Sequence, residues 1–412
     1  MILYLRRQRG ATLVLIAVAI LALIAIAGLA IDTAHVLLNK ARLQSALDAA
    51  ALAGAKALDQ TGGNTAAATA AADAIFALNV ASYPELQSAV ASGLGVTTQY
   101  SATLIPFSPG TAPAKFVRAA IAGFQTTMTF SRVLGINLVN VGGTAVAGPS
   151  APLSTICNIV PILACGNPSA PGPLFGYTAN EVLGLSQVPG NVNSSTSLGP
   201  GNYNLLAIGG TGGSIVRTNF AGSYSACATL GGMMPTETGV AAGPVAQGVN
   251  TRFNQYAAGL TPAQYPPDVI NSPAHQTALT GTTASGLYEN GTLITGATGA
   301  NPISFTWAQY NTLENAGPYD TQPLPTGTGE LGRRVVAVPI GNCSVQANGQ
   351  SQVPVLGFAC MFLLQSLPNN GQQNLYAQVL DGCEAHGTPS GGGGNYGPHV
   401  IELYKSAGSP DS

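Results

Sequence analysis

Six cysteines, four histidines and one glycine-rich turn are where this chain could carry out chemistry. The cysteines, Cys157, Cys165, Cys227, Cys343, Cys360 and Cys383, all lie beyond residue 150. An even number confined to one part of a chain fits disulfides formed in an oxidising compartment. Cys157 and Cys165 are close in sequence with Pro161 between them, so a local bridge is the first expectation. Loop closure then leans to Cys227–Cys383 and Cys343–Cys360. A metal site fits poorly, because there is no CxxC and the histidines are scattered. Asp381, Cys383 and His386 form a nominal Cys/His group, but a bridged Cys383 would be inert. His35 lies three residues beyond Asp32 and reads as a polar residue at an interface, while His275 and His399 read as surface residues. Gly209-Gly210-Thr211-Gly212-Gly213 lacks the Gly-Lys-Ser/Thr of a phosphate loop and reads as a turn between strands. Arg217, Arg252, Arg333 and Arg334 are rare charges in a neutral region and read as structural ion pairs. No GxSxG or HExxH occurs, and no cofactor is implied.

Composition narrows the classes further. Only 7% of the 412 residues are charged, against about 25% in an ordinary soluble domain. A net charge of −2 offers no basic stripe for phosphates, which argues against nucleic acid as a partner. Low charge with 46% hydrophobic residues also argues against charge-driven disorder and against a Glu/Lys-rich coiled-coil rod.

The elements that must position these residues begin with a membrane segment. Ala11 to Ile31 contains no charged side chain, long enough to cross about 30 Å of hydrocarbon. Arg6, Arg7 and Arg9 precede it and Asp32 comes directly after it, which puts the N-terminus on the cytoplasmic side. A cleaved signal peptide shares the basic start and apolar centre, and Ala25-Ile26-Ala27 offers a cleavage pattern, but signal h-regions are typically about 7–15 residues. From Thr33 to Leu58 there is no proline and one glycine, so one continuous helix from Ala11 to Leu58 is expected, stopped by Thr61-Gly62-Gly63. Ala46, Ala50 and Gly54 recur every fourth residue, as do Ala49, Ala53 and Ala57. Such stripes let another helix approach closely. Beyond it, a helix over 64–79 and strands over 96–104, 116–123 and 138–147 suggest a small α+β unit, with a short helix over 126–135. After Gly148-Pro149-Ser150-Ala151-Pro152 the composition turns to Gly, Asn, Pro, Ser and Thr. Strands are expected there over 203–208, 335–340, 353–364 and 400–404, with irregular loops over 189–202 and 388–397.

One stretch is specific enough to compare with a family. Arg9-Gly10-Ala11, the apolar run, Gly28-Leu29-Ala30-Ile31-Asp32 and the block from Ala41 to Ala55 (ARLQSALDAAALAGA) together resemble the N-terminal region of the TadE/TadG-like proteins of the Flp (tight-adherence) pilus assembly system. Residues 115–148 resemble the next segment of proteins in that family, and the blocks from Tyr203 onward resemble the C-terminal portion of TadG-related proteins. Pilin-like members are cut after a glycine that has a glutamate five residues beyond it; here Gly10 has Leu15 at that position. The DxSxS metal site of a von Willebrand A domain does not occur.

The expected architecture is therefore α+β. A cytoplasmic N-terminus (1–10) leads to a transmembrane helix (11–31), its extracytoplasmic continuation (32–60), a small α+β unit (61–149) and a loop-rich, mainly β, disulfide-bonded domain (150–412). The resemblance implies a single-pass bacterial inner-membrane protein with a periplasmic C-terminal region that takes part in pilus assembly. Its partners would be the membrane, pilin-like or assembly proteins packed on the small-residue helix, or a second copy. The alternatives are a minor pilin or tip adhesin and, from another class, a tethered periplasmic thiol or hydrolytic enzyme.

Overall fold

A computed structural model of the chain describes residues 11–185, 202–222, 224–239, 241–277, 288–289, 292–293, 305–316, 329–345, 349–368, 375–390 and 397–405. The chain divides into two compact units, one of residues 1–58, 65–148 and 402–412, the other of residues 59–64 and 149–401.

The first unit is organised by α1 (Ala11–Gln60), a single unbroken helix of 50 residues. Its Ala/Leu-rich sequence has no internal breaker, and Gly62 and Gly63 stop it in positive-φ conformations that side chains resist. α2 (Thr65–Val80) buries Ala68, Ala72, Phe76 and Val80, a stripe at every fourth residue. The Tyr83-Pro84 pair does more than break a helix: Pro84 opens α3 (Pro84–Ala91) at its first turn, where a missing N–H costs nothing. β1 (Thr97–Ser101), β2 (Phe116–Thr127) and β3 (Leu138–Pro149) form an antiparallel sheet, completed beside β3 by the last strand, Ile401–Tyr404. Thr126 and Thr127 extend β2, so only Ser131–Leu134 is helical in the connection to β3, as a 3-10 turn.

Leu43, Leu47, Ala50 and Ala51 of α1 are fully buried, and Leu47 lies against this sheet. A Cβ on Gly143 would meet Gln44 Oε1 and Leu47 Cδ1 at 2.9 Å, so the sheet backbone lies directly on the helix. The stripe Ala46/Ala50/Gly54 is likewise buried, and its occupant is this chain: a Cβ on Gly54 would meet Val117 Cγ1 at 3.2 Å and the Ala68 carbonyl and Ala72 Cβ at 3.3 Å. The close approach inferred from small residues is made by α2 and β2, not left open for a foreign helix. Ala49, Ala53 and Ala57 are half-buried. Gly54→Leu is accordingly expected to destabilise the first unit by about 1–3 kcal/mol through overpacking, read as a lower midpoint in denaturant melts.

The second unit is mixed α/β. Its strands are β4 (Leu153–Ile159), β5 (Ala164–Cys165), β6 (Val182–Leu185), β7 (Asn202–Leu206), β8 (Tyr224–Thr229), β9 (Met233–Thr238), β10 (Tyr288–Glu289), β11 (Thr292–Leu293), β12 (Val335–Gly341), β13 (Gln352–Leu363), β14 (Leu375–Leu380), β15 (Gly382–Glu384), β16 (His386–Pro389) and β17 (Gly397–His399). The main sheet runs β11-β10-β6-β14-β13-β12-β5, and β16-β4-β8 forms a second. The apolar run of β13 is buried on both faces, which explains its lack of alternation. Ala359, Met361 and Leu363 face a core shared with α4 (Gly213–Gly222) and α5 (Ala242–Asn250). Cys360, Phe362 and Leu364 face another core that contains Tyr310 of α6 (Trp307–Ala316). The sequence reading missed α4 and α5 because their Gly- and Asn-containing sequences have weak helix propensity; burial against the sheet and against each other makes them helical. A Cβ on Gly248 would sit 2.4 Å from the Arg217 carbonyl, so that glycine sets the α4–α5 approach.

All six cysteines are bridged, but the pairing differs from the one loop closure favours. The bridges are Cys157–Cys227, Cys165–Cys343 and Cys360–Cys383. Cys157 and Cys165 sit on strands of different sheets. Cys157 stands opposite Cys227 in the β4–β8 ladder, and Cys165 lies on β5 opposite Gly341 of β12, two residues before Cys343. Strand register decides the partners here, so nearness in sequence does not. The leanings to Cys157–Cys165, Cys227–Cys383 and Cys343–Cys360 are all overturned.

Candidate functional site: the clamped exit of the long helix

Gly28, Asp32, His35 and Asn39 recur at helical spacing along one side of α1. Gly28, Asp32 and Asn39 are buried in an otherwise bare stretch of helix. What covers them is the connection between β2 and β3, together with the first turn of α3. The Asp32 carboxylate accepts the backbone N–H groups of Thr129 and Phe130 at 3.0 Å and of Ser131 at 2.6 Å. Hydrogen bonding led by Ser131 outweighs burial and holds its pKa down to about 2. The carboxylate is therefore ionised and fully engaged at neutral pH. Such a depressed pKa adds stability above the ordinary carboxylate range, and that stability is lost only as pH falls towards 2. One turn further, Glu85 accepts from Asn39 Nδ2 at 2.7 Å and lies 3.2 Å from His35 Nε2. Thr126 Oγ1 lies 3.4 Å from the same Asn39 amide. This is a polar clamp, not a proton relay.

Before the clamp the helix is open. The large apolar side chains from Leu13 to Ile31 are between 50 and 74% exposed. By length and composition, α1 is the one helix among the described residues able to cross a membrane, with mean hydropathy 3.1 over its most apolar window. Arg6, Arg7 and Arg9 lie outside the described residues.

The other residues singled out from the sequence have structural surroundings. Cys383 is bridged to Cys360, so His386 has no thiol beside it. A cleft of about 270 Å3 in the second unit is lined by residues that include Asp59, Trp307 and His386, together with Cys157 and Cys383, both disulfide-bonded. The Gly209–Gly213 turn joins β7 to α4, not two strands; Gly210 and Gly212 have φ of +129° and +109°, and Glu237 Oε1 accepts the Gly212 N–H at 3.1 Å. Arg252 and Arg334 are buried and donate chiefly to carbonyls: Arg252 to Phe220, and Arg334 to Ile270, His275, Leu363 and Leu364. Arg334 also lies over the rings of Phe253 and Phe362. Their carboxylate is Asp268, which the sequence did not single out. It is fully buried and accepts from Tyr310 Oη, Ile270 N and Arg334 N.

His275 and His399 are not surface residues. His275 is half-buried, and His399 is buried with Nε2 3.0 Å from Asp59 Oδ1. Burial lowers the His399 pKa, but the hydrogen bond and charge of Asp59 outweigh it, and the net shift is upward. The stability this pair contributes is present below the ordinary histidine value and is lost as pH rises through the raised one. We expect the pH dependence of melting of the second unit to lose this component in His399→Gln; a parent profile that is flat above the ordinary histidine value would contradict it.

The features together define a chain with one bare apolar helix, clamped where that helix emerges to a folded unit and continuing into a disulfide-bonded one. Residues 10–57 match the family model of the putative Flp pilus-assembly TadE/G-like proteins. That stretch is most of α1 and includes Gly28, Asp32 and Asn39. The further resemblances over 115–148 and from Tyr203 onward lie outside the match. Neither a curated protein nor a solved structure matches the chain.

Proposed function

We propose that this chain is a membrane-anchored structural component of a tight-adherence pilus-assembly apparatus. α1 spans the inner membrane with its N-terminus inside, and both folded units stand on the periplasmic side. The observation that carries this reading is a division within one helix. Its first 20 or so residues are apolar and bare, whereas much of the stretch from Leu43 onward is buried within the protein's own folded unit, and the family match runs across both parts. A bare apolar helix of that length is stable in lipid and costly in water. Three disulfides suit an oxidising periplasm. Because Ala46, Ala50 and Gly54 are covered internally, pilus-assembly partners engage the exposed span and the outer faces of the two units.

Replacing residues 11–31 with a cleavable signal sequence tests the anchor. The released protein is expected to fold in the periplasm and to fail to support piliation. Normal pili from the soluble form would sink the proposal. The filament-subunit reading is kept alive by the same division of α1, since a pilin also carries a bare helix ahead of a folded head.

A further inference from the structure

The connection between β2 and β3, residues 128–138, places four large apolar side chains in water. Phe130 is 45% exposed, Val133 91%, Ile136 47% and Leu138 48%. Its only charge is Arg132, which is exposed. A connection so apolar is out of keeping with a solvated turn.

Its placement explains the composition. Asp32 binds three successive N–H groups of this connection, and Asp32 is the first residue after the apolar run. Phe130 reaches one turn deeper: its Cβ and Cγ lie 2.7 and 2.9 Å from where a Cβ on Gly28 would stand. The glycine therefore makes room for Phe130 against the span itself. At 1.5 Å per residue, Gly28 lies about 4–5 Å below Ile31, the depth at which interfacial segments bury their apolar faces. Val133 and Ile136 follow in the same loop and are exposed, as are Leu29 and Ile31 on the helix.

We infer that residues 130–138 form a membrane-surface loop, dipping Phe130, Val133 and Ile136 into the headgroup–acyl boundary of the outer leaflet with Arg132 at phosphate level. The inference rests on α1 being a retained span. The loop would fix the depth and tilt of α1 by a second contact, which a lone helix lacks. Asp32 acts as a positioning residue: it ties the loop to the helix.

The test uses full-length protein in phosphatidylcholine/phosphatidylglycerol vesicles whose acyl chains are brominated either near the headgroup or near the chain end. Tryptophan is introduced by Val133→Trp, and each emission is compared with that of the parent, whose single Trp307 is the background. Leu21→Trp reports the span. Ile105→Trp is the control for tryptophan-driven insertion: Ile105 is 78% exposed and lies at the opposite end of β2, about 35–40 Å away at 3.3 Å per residue. The expected result is quenching of the Val133→Trp indole, strongest with bromine near the headgroup, with Leu21→Trp quenched most by chain-end bromine and Ile105→Trp unquenched. Adding Asp32→Asn should remove most of the quenching at 133. Leu21→Trp quenched with Val133→Trp dark to bromine would overturn the inference while leaving the anchor intact, and would assign the loop to a protein partner instead. Quenching at Ile105→Trp equal to that at Val133→Trp would also overturn it. If Leu21→Trp itself is unquenched, the anchor reading falls and the loop inference with it.

Discussion

Asp268→Ala is expected to destabilise the second unit by about 3–5 kcal/mol, the cost of stranding a buried charge. Asp268 is fully buried among Arg252, Arg333 and Arg334. Its two oxygens accept from Ile270 N at 2.8 Å, Arg334 N at 3.0 Å and Tyr310 Oη at 2.9 and 3.0 Å. Alanine removes every one of these acceptors and the Asp268 charge that interacts with all three guanidinium groups. Tyr310→Phe is the graded comparison. It spares the carboxylate but orphans the Gly332 N–H, which donates to Tyr310 Oη at 2.9 Å, so about 1–3 kcal/mol is expected. Burial, opposed by these hydrogen bonds and by Arg334, raises the Asp268 pKa to about 6. A raised carboxyl pKa favours the folded state at low pH, and that contribution is lost as pH rises from the ordinary carboxylate range through about 6. Urea melts of the parent and both variants at pH 5 and pH 7 check order and sign. Equal stability of Asp268→Ala and parent at pH 7 would contradict the buried-charge account.

Removing the Cys165–Cys343 bridge by a double alanine substitution is expected to cost about 2–5 kcal/mol, towards the upper end because the bridge closes a long loop. The two cysteines are 178 residues apart and join β5 to the end of β12 at one edge of the main sheet. β5 has only two residues, so the ladder alone holds that edge weakly. The first unit contains no cysteine. Calorimetry should therefore show a reductant-sensitive transition for the second unit beside an insensitive one for the first. A double variant that melts with the parent would mean that strand pairing alone fixes this edge.

Long-range pairing separates what the sequence revealed from what it hid. α1 was legible because its signals are local: no breaker from Ala11 to Leu58, then two glycines. β1 was legible for the same reason, from its alternating, β-branched sequence. The clamp was not legible, although Asp32 stood out at the end of the apolar run. Its donors lie 97 to 99 residues away, in a turn that binds through three backbone N–H groups and the Ser131 side chain. Glu85, 46 residues beyond Asn39, was hidden in the same way. Small residues specify close approach without saying from which chain, so the stripe alone did not point to Val117, Ala68 and Ala72, which lie against Gly54. Cysteine pairing failed on the same point: register between distant strands, which no local spacing encodes, brings Cys157 to Cys227.

The central claim is that this is a stapled anchor that stays in the membrane. Intact mass of the native protein, taken from the membrane fraction and from sheared pili, tests it most directly. The account predicts a chain uncut at Gly10 in the membrane fraction, gaining about 6 Da on reduction, one hydrogen for each of the six bridged sulfurs. A chain beginning at Ala11 and recovered with the pili would contradict it and make the protein a filament subunit, processed despite Leu15.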